Sequence, residues 1–284
     1  MKPVRPLNYR HAYHAGNFAD VFKHAALIQL LESFRHKPTP FCYMDTHAGR
    51  GMYDLGGIQA RKTAESDAGV TRLLDAGDTP DILRPYLQVV SEAGLGADEG
   101  ARCYPGSPWI AAQYLREGDR AVLCELQPDE ASTLRRLFSD RLAVHVHQRD
   151  GYEALGALLP PREKRGLVLV DPPFEAREEE FRIIRAALEH AIGRWPNGRY
   201  AVWYPIKLRQ HVRPFQRWLT QRFGDKLVIA DWLLRPADSA ARLNGCGLAV
   251  INPPWGFAAW IDTLLDTLRN RLAVDGPGEK HVQA

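Results

Sequence analysis

Seven short apolar runs recur along the chain, separated for the most part by segments with helical periodicity. Each run is five or six residues long and rich in Val, Leu, Ile or aromatic residues, which is the pattern of buried strands. The predicted strands are residues 41–45, 121–125, 143–147, 166–171, 200–204, 227–232 and 248–252. Helical patterns between them include residues 129–138, 178–192 and 212–223. This alternation predicts an α/β protein with a mostly parallel sheet covered by helices on both faces.

The last predicted strand should run antiparallel to the others. Residues 233–247, which precede it, show no helical period and contain Gly245 and Gly247. A return without a crossover helix favours an antiparallel pair. We therefore expect a seven-stranded sheet whose last strand ends, at Asn252, on the edge opposite to the ends of the parallel strands.

One connection is too long for a simple crossover. Residues 46–120 separate the first two strands, whereas a crossover needs only roughly a dozen residues. Ser107-Pro108 predicts an N-cap followed by proline at the first helical position, which makes residues 109–116 the crossover helix. Two further helical patterns precede it, at residues 64–74 and 80–90. We predict a main domain of residues 1–53 and 105–284 with a helical insertion subdomain of residues 54–104; a decorated loop without function is the alternative.

The N-terminal segment, residues 1–17, is polar, aromatic and basic, and a helix follows it. Asn17 is a candidate N-cap for that helix. Apolar side chains then recur at helical spacing, at Phe18, Val21, Phe22, Ala25 and Ile28. The helix should therefore pack on the sheet. The residues after Val274 contain Gly, Pro and Lys and are expected to be frayed.

Composition narrows the class of protein. The 284 residues are 45% hydrophobic and 25% charged, as in a globular protein, and the net charge of +3 permits a nucleic-acid partner without requiring one. The four cysteines form no C-x-x-C pair, which favours a reducing compartment. No apolar run approaches membrane-spanning length, and no signal-peptide core is present. We expect a cytoplasmic protein with no membrane partner.

Acidic residues follow the ends of four predicted parallel strands, at Asp45, Glu125, Asp150 and Asp171. Ligands of parallel sheets bind at these carboxyl ends. Burying an unpaired carboxylate in a protein core is unfavourable, so a polar ligand at this edge explains the acidic residues better than core packing does.

Asp171 opens the most informative motif, Asp171-Pro172-Pro173-Phe174. The prolines cannot continue a ladder or a helix, so a carboxylate, a rigid turn and an aromatic ring stand together at one strand end. This combination suits a flat base with an exocyclic amine, because Asp171 and a turn carbonyl accept from the amine while the ring stacks on the base. Asn252-Pro253-Pro254-Trp255 is similar in composition, but its expected place on the opposite edge argues against it.

The other strand ends each allow two interpretations. The glycine turn of residues 45–51 can approach a ligand closely or simply end a strand. Glu125 can accept from the ribose hydroxyls of an adenosine-containing cofactor or be a surface glutamate. Asp150-Gly151 can receive an adenine amine or form a turn. Ser107 can expose helix amides to a carboxylate or only cap its helix.

The histidines near the N-terminus raise the question of a metal. His11 and His14 are too few for a metal site, and no cysteine or carboxylate stands at a ligand spacing beside them. We therefore expect no metal. His24 lies a turn into the first helix, where it can reach the cofactor site or be a satisfied buried histidine.

In chain order, these motifs resemble those of the S-adenosylmethionine-dependent amino-methyltransferases of Rossmann-like fold. The likeness is closer to the RlmJ family of 23S ribosomal RNA adenine-N6 methyltransferases and covers nearly the whole chain. Its motifs are Tyr9-Arg10-His11, His14-Ala15-Gly16-Asn17, Asp20, Lys23-His24, Asp45-Thr46-His47-Ala48-Gly49, Tyr104-Pro105-Gly106-Ser107-Pro108, Asp171-Pro172-Pro173, Trp203-Tyr204-Pro205 and Asn252-Pro253-Pro254-Trp255. The N-terminal block is far more specific than Asp-Pro-Pro.

The resemblance implies a Rossmann-like class I methyltransferase fold with a helical insertion, S-adenosylmethionine as cofactor and 23S ribosomal RNA as partner. It places the cofactor against His24, His47, Ser107, Glu125, Asp150, Gly151 and Asp171. The catalytic role falls to Asp171, with Pro172 and Phe174 of the same motif. Tyr9 is implied to touch the substrate, with Arg10 beside it as a further RNA contact. Phe174 stands where the family usually has tyrosine, so stacking is kept and a hydroxyl is lost.

Three other functions compete with methyl transfer to ribosomal RNA. The same chemistry on DNA adenine would use the same motif, and a catalytically silent nucleotide- or RNA-binding module would use the same fold. A nicotinamide dehydrogenase is disfavoured because the dinucleotide glycine pattern is absent. We expect the protein to be a monomer.

Overall fold

The computed structural model describes residues 10–94, 102–175, 178–236, 243–273 and 278–284. Within these ranges the strands are β1 (Cys42–Asp45), β2 (Met52–Asp54), β3 (Cys103–Pro105), β4 (Arg120–Cys124), β5 (Val144–His147), β6 (Gly166–Val170), β7 (Arg199–Ile206), β8 (Leu227–Leu233), β9 (Gly245–Ile251) and β10 (Glu279–Gln283). The α-helices are α1 (Phe18–Arg35), α2 (Ile58–Thr63), α3 (Val70–Leu74), α4 (Arg84–Glu92), α5 (Ser107–Gln113), α6 (Pro128–Leu137), α7 (Gly151–Leu158), α8 (Glu178–Arg194), α9 (Arg209–Phe223) and α10 (Phe257–Leu272). None of these helices has the length and apolar character needed to cross a membrane.

Eight strands form one sheet in the order β10-β8-β9-β7-β6-β1-β4-β5. Successive strands from β7 to β5, which are β7, β6, β1, β4 and β5, pair in parallel. Strand β9 pairs antiparallel with both β7 and β8. The predicted mostly parallel sheet is therefore confirmed, as is the antiparallel direction of the strand that precedes Asn252. All seven predicted strands are present, with slightly shifted bounds.

The eighth strand, β10, comes from a stretch predicted to be frayed, and for Glu279–Gln283 that prediction was wrong. This strand pairs antiparallel with β8, from Glu279 opposite Leu233 to Gln283 opposite Ile229. Its sequence is mostly polar, so the pattern gives no strand signal. Tertiary partners fix it instead, because Lys280 Nζ lies 2.7 Å from a carboxylate oxygen of Asp262 and of Asp266 on α10.

Apolar side chains pack on both faces of the sheet. On one face, α1, α5, α10 and the insertion surround residues such as Phe22 and Trp232. On the other, α7, α8 and α9 surround residues such as Val168 and Phe215. Burying one side chain of this size contributes about 1.5–3 kcal/mol. Burial on both faces explains why β6 is an uninterrupted apolar run rather than an alternating one.

Helix α1 begins at Asn17, as predicted. The side-chain Oδ1 of Asn17 accepts hydrogen bonds of 3.0 Å from the backbone N–H groups of Ala19 and Asp20, a cap that contributes about 1 kcal/mol. The helix is buried along most of its length, and its buried residues include the charged Asp20 and Lys23. Because a fully buried charge requires a partner, these two residues point to an ion pair beneath the helix.

In the insertion, residues 58–92 are largely helical. Both predicted helical stretches are present, each opening with a 3₁₀ turn that leads into α3 or α4. At the base, β2 and β3 pair antiparallel, from Met52 opposite Pro105 to Asp54 opposite Cys103. Buried side chains of the insertion, such as Val70, join the same apolar cluster as α1.

The insertion also holds the segment that precedes α1. The carboxylate of Glu65 accepts a 3.0 Å hydrogen bond from Asn17 Nδ2 and lies 3.0 Å from His14 Nδ1. The backbone of Gly69 packs so closely that a Cβ atom there would overlap the carbonyl oxygen of Gly16 and lie 2.9 Å from the Cα of Asn17. These contacts fix the approach of the chain to α1.

Replacing Gly69 by alanine should therefore destabilise the protein. The added methyl group meets backbone atoms that cannot rotate away, and overpacking of this kind costs about 1–3 kcal/mol. Chemical denaturation measures the free energy of unfolding. Gly193→Ala is the matched control, since a Cβ atom there meets nothing within 4 Å and alanine favours the helix. Equal stability of the Gly69 variant and the wild type would contradict the close packing.

Candidate active site

The carboxyl ends of β1, β4 and β6 lie side by side, because β1 pairs in parallel with both neighbours. Asp45 ends β1, Glu125 follows β4 and Asp171 follows β6. Asp150 follows β5, the next strand beyond β4. The topology thus brings all four acidic residues to one edge of the sheet.

Asp45 is fully buried and organises the turn after β1. Its Oδ2 accepts hydrogen bonds of 2.7 Å from the hydroxyls of Tyr43 and Ser107, and its Oδ1 accepts one of 3.1 Å from the amide of His47. Burial raises the pKa of Asp45 to about 6, although the two hydroxyl donors oppose the rise. Asp45 therefore shapes the site from beneath.

Ser107 is not the N-cap of α5, and that prediction was wrong. The cap position is Gly106, and Ser107 is the first helical residue. The Ser-Pro pair matches a cap locally, but Ser107 already lies inside the helix, and its hydroxyl donates a charge-assisted hydrogen bond to the carboxylate of Asp45. Ser107 thereby ties the start of α5 to the end of β1.

Glu125 binds the glycine turn. Its Oε2 accepts a 2.8 Å hydrogen bond from the amide of Gly49, and its Oε1 accepts one of 2.7 Å from the amide of Gln127. Gly49 has a φ of +62°, a left-handed conformation that favours glycine. Burial raises the pKa of Glu125, and the two backbone donors oppose this. Each carboxylate oxygen keeps a lone pair, so Glu125 can still accept from hydroxyl groups.

Asp150 is the N-cap of α7. Its Oδ1 accepts from the amides of Tyr152 at 2.7 Å and Glu153 at 3.1 Å, and its Oδ2 makes no hydrogen bond within the described ranges. Gly151 allows α7 to start against the first turn, since a Cβ atom there would overlap the carbonyl oxygen of Thr46. Asp150 can therefore form the turn into α7 and still accept a hydrogen bond from an adenine amine, as the two interpretations required.

Asp171 pairs with a buried lysine from α1. Lys23 Nζ lies 2.6 Å from Asp171 Oδ2 and 2.9 Å from Asp20 Oδ1, and the side chains of Lys23 and Asp171 are 6% and 16% exposed. Burial alone would lower the pKa of Lys23, but the two carboxylates raise it well above its usual value, so the ammonium stays charged. Asp20 is held in turn by His11 Nε2 at 2.9 Å and by the amide of Gly16 at 3.0 Å.

The sequence analysis placed Lys23 beside His24 in a motif near the cofactor site but did not predict its ion pair with Asp171. One signal was available, because Lys23 and Asp20 stand three residues apart on a helix whose other positions are mostly apolar. That spacing indicates a buried ion pair. The second partner, Asp171, is 148 residues away in the sequence, so only the fold reveals it.

Phe174 closes the Asp-Pro-Pro turn in a strained conformation. Its φ of +51° is unfavourable for a residue with a Cβ atom and persists only where the surroundings fix it. The half-buried ring lies 5.3 Å from the ring of Phe181 and 5.9 Å from that of Trp203. Pro172, which precedes it, is buried. The ring thus has a fixed position beside Asp171.

The two predicted cofactor histidines are neutral at neutral pH. His24 is 1% exposed, its Nδ1 lies 2.8 Å from the hydroxyl of Tyr104, and burial lowers its pKa to about 3. His47 Nδ1 lies 2.8 Å from Thr46 Oγ1, and its ring is 5.0 Å from that of Tyr152. Burial lowers the pKa of His47 to about 4. His24 is therefore well satisfied by protein, with only Nε2 left to face a ligand.

The second proline motif lies on the opposite edge, as expected from the antiparallel β9. The side-chain amide of Asn252 donates to the carbonyls of Pro196 at 2.9 Å and Gly198 at 2.7 Å. These bonds close a loop, and Trp255 at the end of the motif is fully exposed.

Tyr9, the predicted substrate contact, lies outside the described residues. Arg10 is exposed, and its carbonyl accepts a 3.2 Å hydrogen bond from the amide of Tyr13. Among the residues that the structure describes, no group of three or more His, Cys, Asp or Glu is arranged to hold a metal ion.

Over nearly its whole length the chain is similar to known proteins. A family model described as Ribosomal RNA large subunit methyltransferase D, RlmJ, matches residues 38–283. Two proteins named Ribosomal RNA large subunit methyltransferase J are similar to the chain. That of Haemophilus influenzae is 38% identical over 277 residues, 98% of each chain, and that of Escherichia coli is 36% identical over 276 residues, 97% of this chain and 98% of the relative. A crystal structure of a Legionella pneumophila protein, 36% identical, superposes with a TM-score of 0.86 over 95% of this chain and 98% of that one.

His47→Gln should reduce the loss in the free energy of unfolding that the protein shows as the pH falls. A histidine with a pKa near 6.5 when unfolded and about 4 when folded binds protons more readily in the unfolded state, so stability is lost as the pH falls from about 6.5 to about 4. Glutamine does not titrate, so the variant should lose less. Denaturant unfolding across this interval measures the difference, with the exposed His36→Gln as control. A slope unchanged from that of the wild type would contradict the buried neutral imidazole.

Proposed function

The chain belongs to the RlmJ family of ribosomal RNA large subunit methyltransferases, and from that premise we propose that it transfers a methyl group from S-adenosylmethionine to N6 of an adenine in 23S ribosomal RNA. Its fold is the Rossmann-like class I methyltransferase fold. The observation that carries the proposal is the fixed carboxylate of Asp171, which stands beside a rigid proline turn and an aromatic ring at a strand end. An adenine amine needs such acceptors and such a platform.

The strand ends fit the cofactor. The free lone pairs of Glu125 suit two ribose hydroxyls, and Oδ2 of Asp150 suits the amine of the cofactor adenine. The acidic residues at this edge also complement the positive charge of a sulfonium group. When bound, S-adenosylmethionine supplies the electrophilic methyl group.

The remaining proposed cofactor contacts act partly through their neighbours. His47 and Ser107 are both hydrogen-bonded to Asp45, so their positions are set together. Gly151 lets α7 begin against the first turn and brings Asp150 to the edge. His24 can reach the cofactor through Nε2 only, since Nδ1 is bonded to Tyr104.

Asp171 offers one oxygen to the substrate. Lys23 occupies Oδ2, which leaves Oδ1 to accept a hydrogen of the adenine amine, while the Pro172 carbonyl accepts the other. The amine lone pair is delocalised into the ring and is a poor nucleophile, and the two acceptors draw it out of conjugation. No strong base is required before attack, because the amine proton becomes acidic only after the methyl group is attached. Alignment and electrostatics supply most of the acceleration.

Phe174 holds the plane of the base. Stacking of a base on an aromatic ring contributes about 1–3 kcal/mol, which offsets much of the few kcal/mol that extruding an adenine from its stack costs. Tyr9 and Arg10 extend the contact to RNA by stacking and phosphate binding. We propose that the insertion, residues 54–104, supports these RNA contacts, because its Glu65 and Gly69 fix the segment that leads to α1.

We also propose that the protein acts as a monomer in the cytoplasm. All residues assigned to the site lie on one chain, and all four cysteines are free thiols, as a reducing compartment favours.

Asp171→Asn should lower kcat by roughly a hundredfold or more, because the negative acceptor for the amine is lost from a preorganised site. Asparagine keeps the shape of the side chain, so circular dichroism should report a folded protein. Methyl transfer from labelled cofactor to 23S ribosomal RNA measures the rate.

The matched control for Asp171 is Asn252→Gly in the second proline motif. Glycine tolerates the φ of +54° at Asn252, so any loss should concern stability rather than kcat. Activity that survives in the Asp171 variant but disappears in the folded Asn252 variant would reverse the assignment of the two motifs.

The site of methylation identifies the substrate. Ribosomal RNA incubated with the protein and labelled cofactor should yield labelled N6-methyladenosine when it is digested to nucleosides and analysed by mass spectrometry. Duplex and single-stranded DNA of equal adenine content should remain unmodified. Methylation of DNA at a comparable rate would favour the DNA enzyme, and cofactor binding without any transfer would favour a silent binding module.

A further inference from the structure

Helix α9 and the residues just before it carry positive charge only. Residues 207–222 contain Lys207, Arg209, Arg213, Arg217 and Arg222 and no Asp or Glu. In the whole chain the two signs nearly balance, with 37 Lys and Arg against 34 Asp and Glu. A helix on which only one sign is concentrated is typical of a surface for a polyanion.

Three of these cations, Lys207, Arg213 and Arg217, have no ionic partner in the part of the chain that the structure describes. Arg209 pairs with Glu279 at 2.6 Å, and Arg222 pairs with Glu189 at 3.1 Å. Arg213 and Arg217, in contrast, are exposed. They stand at positions i and i+4, where like charges repel and destabilise a helix. An external anion would relieve this repulsion.

A third cation and an aromatic ring extend the same surface. The exposed Arg185 of α8 places its guanidinium 5.1 Å from the centre of the Trp218 ring, which stacks on Phe215 at 5.8 Å. Arg185, Arg213 and Arg217 are called the α9 basic surface below. Arginines interleaved with an aromatic ring are the composition of surfaces that track nucleic-acid backbones.

The α9 basic surface leads away from the candidate active site. Helix α9 follows β7, whose Trp203 lies 5.9 Å from the ring of Phe174. A helix that follows a parallel strand starts at the carboxyl edge of the sheet. From the helical rise, Arg213 lies about 6 Å from the start of α9 and Arg217 about 6 Å further on. The start of α9 and Asp171 therefore lie at the same edge of the sheet.

A cavity of about 170 Å³ beneath the start of α9 is a poor seat for a phosphate. Arg209 and Arg213 line it, but so does Asp231. The buried carboxylate of Asp231 accepts hydrogen bonds of 2.7 Å from the hydroxyl of Tyr204 and from Gln216 Nε2. Because the carboxylate of Asp231 lines this cavity, it would repel a phosphate there. The exposed side of α9 therefore remains as the binding face.

We propose that the α9 basic surface binds backbone phosphates of the ribosomal RNA outside the target adenine. The proposal rests on the proposed function and adds a second contact region to it. Such contacts are the same before and during methyl transfer, so they lower KM for RNA without changing kcat.

The test compares two double variants. Arg213→Ala/Arg217→Ala removes the unpaired cations of α9, and Arg135→Ala/Arg136→Ala removes two exposed arginines near the far end of α6. With a 23S ribosomal RNA fragment, the α9 variant should show a KM and an RNA Kd raised roughly tenfold at moderate salt. Its kcat and its affinity for S-adenosylmethionine should equal those of the wild type.

Salt dependence gives the second readout. Each lost phosphate contact should reduce the slope of log Kd against log salt by about 0.7 for single-stranded RNA. The α9 variant should therefore lose roughly twice that, and the α6 control close to nothing. If the wild type methylates RNA while both double variants share its Kd and slope, the α9 basic surface is overturned and the proposed function stands. If the wild type does not methylate RNA, the proposed function fails, and the binding measurements still decide the surface.

Discussion

The buried ammonium of Lys23 is the interaction on which the site depends. It lies between Asp20 on its own helix and Asp171 at the end of β6, so a single charge joins the N-terminal helix to the catalytic strand end. The cost of removing buried charges from water offsets much of their mutual attraction, so a buried ion pair adds little net stability. The group therefore serves position more than stability. Because Nζ takes one oxygen of Asp171, helix α1 determines which way the other oxygen points.

That orientation is relayed from distant parts of the sequence. Asp20 is fixed by His11 and Gly16. Asn17, the residue after Gly16, is held by Glu65 of the insertion. Burial would raise the pKa of Asp20, but the neighbouring His11 and Lys23 hold it well below its usual value. The N-terminal segment, the insertion and the strand end thus form one connected set of hydrogen bonds. A displacement of the insertion would reach the carboxylate of Asp171 through only a few side chains.

The sequence predicts the parts of this arrangement that depend on local pattern. Uninterrupted apolar runs predict strands buried on both faces, and an aspartate directly after such a run predicts a ligand edge. The absence of a helical period before residue 248 correctly predicts the reversed strand β9. The sequence analysis does not predict the contacts between residues that are far apart in the sequence. Ser107 matches an N-cap locally, but its hydroxyl bonds to Asp45. The ion pair of Lys23 joins it to Asp171, 148 residues away in the sequence.

Strand β10 shows how a polar segment can matter for the rest of the sheet. Every residue of β8 is buried, and β9 covers only one of its sides. Without β10, a seven-residue apolar strand would present its unpaired amides and carbonyls to solvent, which is a template for intermolecular pairing. The short, charged strand β10 pairs with these groups within the chain. A fusion partner attached directly after Ala284 would need a spacer long enough to leave that pairing undisturbed.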